Sequence, residues 1–155
     1  MVQPTADHGN LMRLALEEAR IGAERGEVPV GAVLVDSETG EVLARAHNRV
    51  EADTDPTAHA EILVIREVAR RRGEKRLVDC DIYVTLEPCT MCAAAISFAR
   101  LKRLYFGAYD PKGGAVVHAA RFYEQPTCHH RPEVVGGIDE AECGEVLRAF
   151  FRARR

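Results

Sequence analysis

"DIYVTLEPCTMCAAAISFARLKRLYFGA", residues 81–108, is the stretch of the sequence that decides the fold. Its first part, DIYVTL, is rich in β-branched and aromatic residues and predicts a strand, and LKRLYFGA at its end predicts another. Between them PCTMCAAAISFAR predicts a helix, with Pro88 in the first turn, where a missing N–H group costs nothing. The stretch therefore predicts strand, helix and strand in succession.

The rest of the chain extends this alternation in both directions. Periodicity and turn residues predict a helix at 7–25, a β-hairpin at 29–48, a helix at 56–73, a short strand at 133–138 and a last helix from 139 to the end. Asp55 or Thr57 is the predicted N-cap of the second helix. Residues 109–132 give no firm prediction. The order indicates an α/β fold, in a single domain of residues 1–155, whose one sheet has helices on both faces.

Composition and charge narrow the class of protein. The 155 residues are 46% hydrophobic and 29% charged, with net charge -3, which is typical of a globular protein and excludes a disordered chain or a strong overall basic field. The longest apolar runs, at 30–35 and 93–99, are far shorter than a membrane span, and the N-terminus lacks a secretory pattern. We therefore expect a cytoplasmic protein without a membrane partner. In that compartment cysteines are metal ligands, catalytic groups or buried side chains rather than disulfides.

Cys89 and Cys92 are three positions apart at the start of a predicted helix, so both sulfur atoms lie on one side of it. The positive end of the helix dipole lowers thiol pKa values, and the thiolate is the form that binds metals. By itself the C-x-x-C pattern leaves three interpretations open: a redox pair, half of a structural zinc site, or two buried thiols.

A second stretch, PTAHAE at 56–61, places His59 and Glu61 at the start of the preceding helix. Helices that follow neighbouring strands can begin side by side, so His59 can join the two cysteines as a third zinc ligand. Cys80 lies at the far end of a strand and is too distant to be a fourth. Four other residues remain possible fourth ligands: Cys128, His129, His130 and Cys143. Glu61 suits a general base for a bound water, which favours an open, catalytic site.

The pair of motifs, HAE and then PCTMC with Cys89 thirty positions after His59, resembles the signature of zinc-dependent nucleoside and nucleobase deaminases. From about residue 11 to 155 the chain further resembles the bacterial tRNA-specific adenosine deaminases. The segments that carry this resemblance are VPVGAVLV, HN at 47–48, DPTAHAE, YVTLEPCTMCAAAI, FGAYDPKGGA and the terminal FFRARR.

The resemblance implies a three-layer α/β/α sandwich with a mixed five-stranded sheet, like that of cytidine deaminase. It implies a homodimer that converts the wobble adenosine of a tRNA anticodon loop to inosine. One Zn²⁺ per chain is then held by His59, Cys89 and Cys92, and Glu61 carries protons.

The resemblance also implies which residues contact the substrate. The expected contacts are Asn48 with the base, the N–H groups of Ala60 and Cys89 with the new oxygen, and Asp110, Phe151 and Arg152 along the RNA. Without the resemblance, Asn48 would be a turn residue and FFRARR a solvated helix face.

Two alternative functions stay open on sequence alone. A deaminase of a free base or nucleoside (guanine, cytosine or adenosine) would use the same chemistry but would not need the basic, aromatic C-terminus. A zinc-stabilised binding module without catalysis would leave Glu61 without a role.

Overall fold

The computed structural model describes residues 7–155, and within them it contains four α-helices and five strands. The elements are α1 His8–Glu24, β1 Gly31–Asp36, β2 Val42–His47, α2 Ala60–Arg72, β3 Cys80–Leu86, α3 Thr90–Phe98, β4 Arg103–Ala108, a 3₁₀ turn Phe122–Glu124, β5 Glu133–Val135 and α4 Glu140–Arg152. The predicted α/β class is confirmed. Every helix of this range is too short or too polar to cross a lipid bilayer.

The strands form one mixed sheet in the order β2-β1-β3-β4-β5. β1 is antiparallel to both β2 and β3, whereas β3, β4 and β5 are parallel. Strands β2, β3 and β4 therefore run in the same direction and end at the same edge of the sheet, where β1 begins. This topology brings four separate segments of the chain together.

Helices cover both faces of the sheet, which confirms the three-layer sandwich. Alternate side chains of each strand point to opposite faces. On one face, Val33 and Tyr83 pack with α1 and with Cys143 of α4. On the other face, Leu34 and Ile82 pack with the apolar sides of α2 and α3.

The contact between α1 and the sheet depends on a glycine. A Cβ at Gly31 would lie 1.9 Å from the carbonyl oxygen of Ala15 in α1. No other residue fits at the start of β1 without moving the helix. The close packing fixes the position of the segment that leads into β1.

Both helices that carry the candidate ligands begin later than the sequence predicts. The N-cap of α2 is His59, so the prediction of Asp55 or Thr57 is wrong. The Asp55 carboxylate instead accepts hydrogen bonds from the N–H and hydroxyl of Thr57, at 2.8 and 2.7 Å, in the turn before the helix. Likewise Cys89 is the N-cap of α3, and Pro88 precedes the helix. His59 and Cys89 thus both occupy helix N-termini.

Residues 109–132, which the sequence leaves unassigned, follow β4 with turns and pack onto α3. The Tyr123 hydroxyl donates to the carbonyl of Ala93 at 2.8 Å, and the Ser97 hydroxyl donates to the carbonyl of His130 at 2.7 Å. These bonds hold the segment against the helix that carries Cys92.

Candidate active site

The candidate site lies at the sheet edge where β2, β3 and β4 end. The segments that leave these strands contain Asn48, Cys89 and Asp110, and residues 26–30 enter β1 at the same edge. In open α/β sheets, ligands bind outside the carboxyl ends of the strands. The four segments enclose a cavity of about 420 Å³.

Three potential metal ligands converge at this cavity. His59 Nδ1 lies 3.7 Å from Cys89 Sγ and 3.5 Å from Cys92 Sγ, and the three atoms lie within 4.8 Å of one another. A tetrahedral zinc ion, with bonds of about 2.0 Å to nitrogen and about 2.3 Å to sulfur, holds such atoms about 3.6 Å apart. The observed spacing fits one ion.

The Glu61 side chain lines the same cavity and has an unpaired oxygen. Glu61 is 4% exposed, and its Oε1 is buried without a hydrogen-bond partner among residues 7–155. Burial raises the pKa of Glu61 to about 7. A buried oxygen without a partner is unfavourable for folding and is rare, and a catalytic role is one reason for which such an atom is retained. Glu61 therefore has the free oxygen and the near-neutral pKa that suit a general acid–base group.

The two thiols have very different proton affinities. Hydrogen bonding from Cys92, supported by His59, lowers the pKa of Cys89 to about 4. The same bond to Cys89, together with burial, raises the pKa of Cys92. One thiolate is thus available before a metal binds, and the thiolate is the ligand form.

The Asn48 side chain is oriented by the backbone of α2. Its Oδ1 accepts a hydrogen bond from the Ala60 N–H at 2.8 Å. The Nδ2 group is then the part of the amide that remains free to donate, and Asn48 lines the cavity. The predicted contact between Ala60 N–H and the new oxygen is not met, because that N–H donates to Asn48. Its observed role is to fix the Asn48 amide.

Residues 5–108 match the family described as the cytidine and deoxycytidylate deaminase zinc-binding region. The chain belongs to this family of zinc-binding deaminases. Zinc is therefore the cofactor of the chain, and the His59, Cys89 and Cys92 group can hold one ion.

Individual relatives of this deaminase are similar over nearly the whole chain. A tRNA-specific adenosine deaminase from Agrobacterium fabrum is 59% identical over 150 residues, 97% of each protein. A solved structure from studies of A-to-I editing by tRNA:A34 deaminases at the wobble position of transfer RNA has TM-score 0.86 and 59% identity, covering 89% of this chain and 99% of the other. Guanine deaminase from Bacillus subtilis is less similar, with 30% identity, TM-score 0.64 and coverage of 96% and 94%.

The donor set of the deaminase contains three protein side chains. Among residues 7–155, no fourth His, Cys, Asp or Glu joins the cluster. Of the possible fourth ligands, the Cys128 thiol donates to the carbonyl of His130 at 3.1 Å, and His130 Nε2 bonds the carbonyl of Leu101 at 2.7 Å. Cys143 is buried on the opposite face of the sheet. Three protein ligands are typical of catalytic zinc sites.

The three predicted RNA contacts, Asp110, Phe151 and Arg152, line different parts of the surface around the cavity. Asp110 lines both the deaminase cavity and an adjacent groove, whereas Phe151 lines that groove but not the cavity. Arg152 lies farther along α4, where its guanidinium is bonded to Glu145 at 2.7 Å. The structure thus brings Asp110 to the site and leaves Arg152 outside it.

Two buried glutamates in the cavity wall are missed by the sequence analysis. Glu27 accepts hydrogen bonds from the N–H groups of Glu51 and Ala52, at 3.1 and 2.9 Å. Glu87, immediately before Pro88, accepts hydrogen bonds from residues 110–118. An acidic residue at the end of an apolar strand was the available signal for Glu87.

Proposed function

We propose that the chain hydrolyses the wobble adenosine, position 34, of a tRNA anticodon loop to inosine and ammonia. The observation that carries the reaction class is the unpaired, buried oxygen of Glu61 beside a three-ligand zinc site. The tRNA substrate is supported by 59% identity, over 97% of both chains, to a tRNA-specific adenosine deaminase.

His59, Cys89 and Cys92 are the residues proposed to hold zinc. When bound there, zinc lowers the pKa of a water molecule and so makes hydroxide available at neutral pH. Glu61 accepts the proton released from that water and delivers it to N1 of adenine, so that the ring accepts the electrons when oxygen adds at C6. Glu61 then assists transfer of a proton to the departing amine. Water is consumed, the C6–N bond breaks and ammonia leaves.

Asn48 is proposed to recognise the adenine ring. The bond from the Ala60 N–H orients the Asn48 amide through Oδ1, and the Nδ2 group is proposed to donate a hydrogen bond to the substrate. Adenine has unprotonated ring nitrogens that accept such a bond. A base stacked in a duplex cannot enter a cavity of about 420 Å³ at the sheet edge, so the target must be unstacked. An anticodon loop provides an unstacked base at little cost.

The nucleotides beside the reacting adenosine are proposed to follow the groove between Asp110 and Phe151. The groove shares Val28, Leu86 and Asp110 with the deaminase cavity, so the two are continuous. Phe151 is 48% exposed in the groove and is available for stacking on a base. Local contacts of this kind permit RNA binding by a chain with net charge -3.

We also infer that the enzyme is a homodimer and acts in the cytoplasm, where its tRNA substrate would be found, without a membrane partner. Support for the dimer comes from the surface between α2 and α3. Phe98 is 72% exposed there, beside Ile62 and Ile65. An exposed apolar patch of this kind is characteristic of protein contacts.

The test compares substrates under identical conditions. Anticodon stem-loops with adenosine at position 34, free adenosine, cytidine and guanine are each incubated with the zinc-loaded protein, and inosine and ammonia are measured. We expect inosine only in the RNA. Turnover of a free base or nucleoside, with no inosine in RNA, would instead establish the function typified by the guanine deaminase relative. Zinc binding with no ammonia from any substrate would indicate a binding module.

A further inference from the structure

The carboxylate of Glu87, directly after β3, accepts five hydrogen bonds. Its Oε1 accepts from the N–H of Asp110 at 3.0 Å and from His118 Nδ1 at 2.8 Å. Its Oε2 accepts from three consecutive backbone N–H groups, at 3.1, 2.9 and 3.2 Å, which belong to Val116, Val117 and His118. One carboxylate thus gathers both ends of the segment 110–118.

The environment of Glu87 stabilises its negative charge. The side chain is fully buried, so water does not solvate its carboxylate. The hydrogen bonds from the Asp110 N–H, from His118 and from the Val116 and Val117 N–H groups take the place of that solvation. Hydrogen bonds to a buried carboxylate are among the strongest in proteins.

The loop is shaped to admit this carboxylate. A Cβ at Gly114 would lie 2.4 Å from the Glu87 Cδ atom and 2.6 Å from Oε2. The Gly114 N–H donates to the carbonyl of Asp110 at 2.9 Å, and the Ala115 N–H donates to the carbonyl of Pro88 at 2.9 Å. The segment 110–118 is therefore folded around Glu87 and joined to the start of the ligand-bearing helix α3.

We propose that Glu87 is a positioning residue that holds residues 110–118 as a preformed rim of the substrate pocket. This inference rests on the proposed tRNA function, because the rim carries Asp110, which faces both the cavity and the adjoining groove. Glu87 acts through the backbone of the rim and leaves the proton transfer to Glu61. Its loss therefore weakens substrate binding more than it slows the chemical step.

Glu87→Gln tests the proposal with little change in volume. A glutamine has one acceptor oxygen, which fits best against the three N–H groups of residues 116–118. Its NH₂ group then faces Asp110 and His118. His118 can adapt by changing its tautomer, but the Asp110 N–H cannot, so the substitution releases Asp110 selectively.

We expect KM for the anticodon stem-loop to rise about tenfold in Glu87→Gln, with kcat changed less than about twofold. Zinc content should stay at one per chain, and hydrogen exchange should accelerate at the Asp110 amide. Asp81→Asn is the matched control, since Asp81 is also buried on β3 and pairs with Arg103 at 3.4 Å, remote from the cavity. It should change neither KM nor exchange in the rim.

A purely structural role for Glu87 would give lower thermal stability with an unchanged KM, and that result would overturn the proposal. If Glu87→Gln does not fold, Gly114→Ala crowds the same carboxylate from the loop side and should raise KM similarly. Failure of the proposed function is a separate outcome, because the wild-type protein would then make no inosine in RNA. The hydrogen-exchange result does not depend on turnover and tests the rim in either case.

Discussion

Glu61 and Glu87 are both buried glutamates in the wall of one cavity, yet their surroundings are opposite. Glu61 is 4% exposed and has an oxygen with no partner among residues 7–155, and burial raises its pKa to about 7. Glu87 is 1% exposed and accepts hydrogen bonds from four backbone N–H groups and a histidine, which keep its pKa low.

The two environments suit two different roles within one pocket: proton exchange for Glu61 and the positioning of a loop for Glu87. A carboxylate that must exchange protons needs an oxygen that the protein leaves unpaired, and it reduces the stability of the fold. A carboxylate that organises a loop is stabilised by the bonds it makes and is not available for chemistry. Substitution of Glu61 should therefore lower kcat without a loss of stability, whereas substitution of Glu87 should raise KM and lower stability.

The largest effect is expected for Glu61→Gln. Loss of the proton carrier should lower kcat for inosine formation by about 10³-fold or more. Thermal stability should be unchanged or higher, because a buried ionisable carboxylate is replaced by a neutral amide of nearly the same size, and zinc content should remain at one per chain. Glu67→Gln is the control, since Glu67 lies on the same helix but is exposed and paired with Arg71. Near-normal turnover by Glu61→Gln would remove Glu61 from the mechanism.

Glu87→Gln, unlike Glu61→Gln, should lower the stability of the protein. Breaking charge-assisted hydrogen bonds inside the protein should lower the free energy of unfolding by about 2 kcal/mol, measured by denaturant titration at neutral pH. The catalytic rate constant should change little. A variant as stable as the wild type would mean that the five hydrogen bonds contribute no net stability and would remove the contrast with Glu61.

The effect of Glu87→Gln on stability should depend on pH. Because the pKa of Glu87 is lowered in the folded state, its contribution is present above the unfolded-state pKa and is lost as pH falls through the folded value. The stability difference between wild type and Glu87→Gln should therefore shrink in acid.

Asp81 provides a control of opposite sign for that pH series. Burial raises the pKa of Asp81 to about 6, so its contribution is present at low pH and is lost as pH rises through about 6. Asp81→Asn should therefore gain stability relative to the wild type above that pH. Parallel pH profiles for the two variants, followed by thermal unfolding, would contradict both assignments.

The smallest effects are expected on α4, outside the cavity. Phe151→Ala should weaken stem-loop binding about tenfold, since an exposed aromatic ring is removed from the groove. Arg152→Ala should change affinity less than about threefold, because Arg152 is already paired with Glu145. Point variants are preferable to trimming the tail from Phe150, which is only 7% exposed. Both affinities are measured by binding titrations at two salt concentrations. Equal losses of affinity in the two variants would show that both side chains contact the RNA.

Patterns within short stretches predicted most of the fold. Helical spacing, strand alternation and the turn residues predict each α-helix and strand, and two ligand motifs at helix starts predict the convergence of His59 with the cysteines. The start of α2 was predicted too early, because Asp55 caps a local turn rather than the helix. Such competition between neighbouring turns is not visible in a pattern of residue types.

The rim of the pocket could not be predicted for a different reason. Glu87 and its partners are 23 to 31 positions apart in the chain, so no local pattern connects them. Residues 109–132 acquire their structure from these bonds and from contacts with α3, such as that of Tyr123. The N–H of Ala60 likewise donates to Asn48, twelve positions earlier, and no local pattern predicts that bond.

X-ray absorption at the zinc edge of the metal-loaded protein shows whether three side chains hold one ion and a water molecule completes its shell. We expect two sulfur neighbours at about 2.3 Å and two nitrogen or oxygen neighbours at about 2.0 Å. Three or four sulfur neighbours, or a shell completed by a second histidine, would show a closed site and contradict the proposed chemistry.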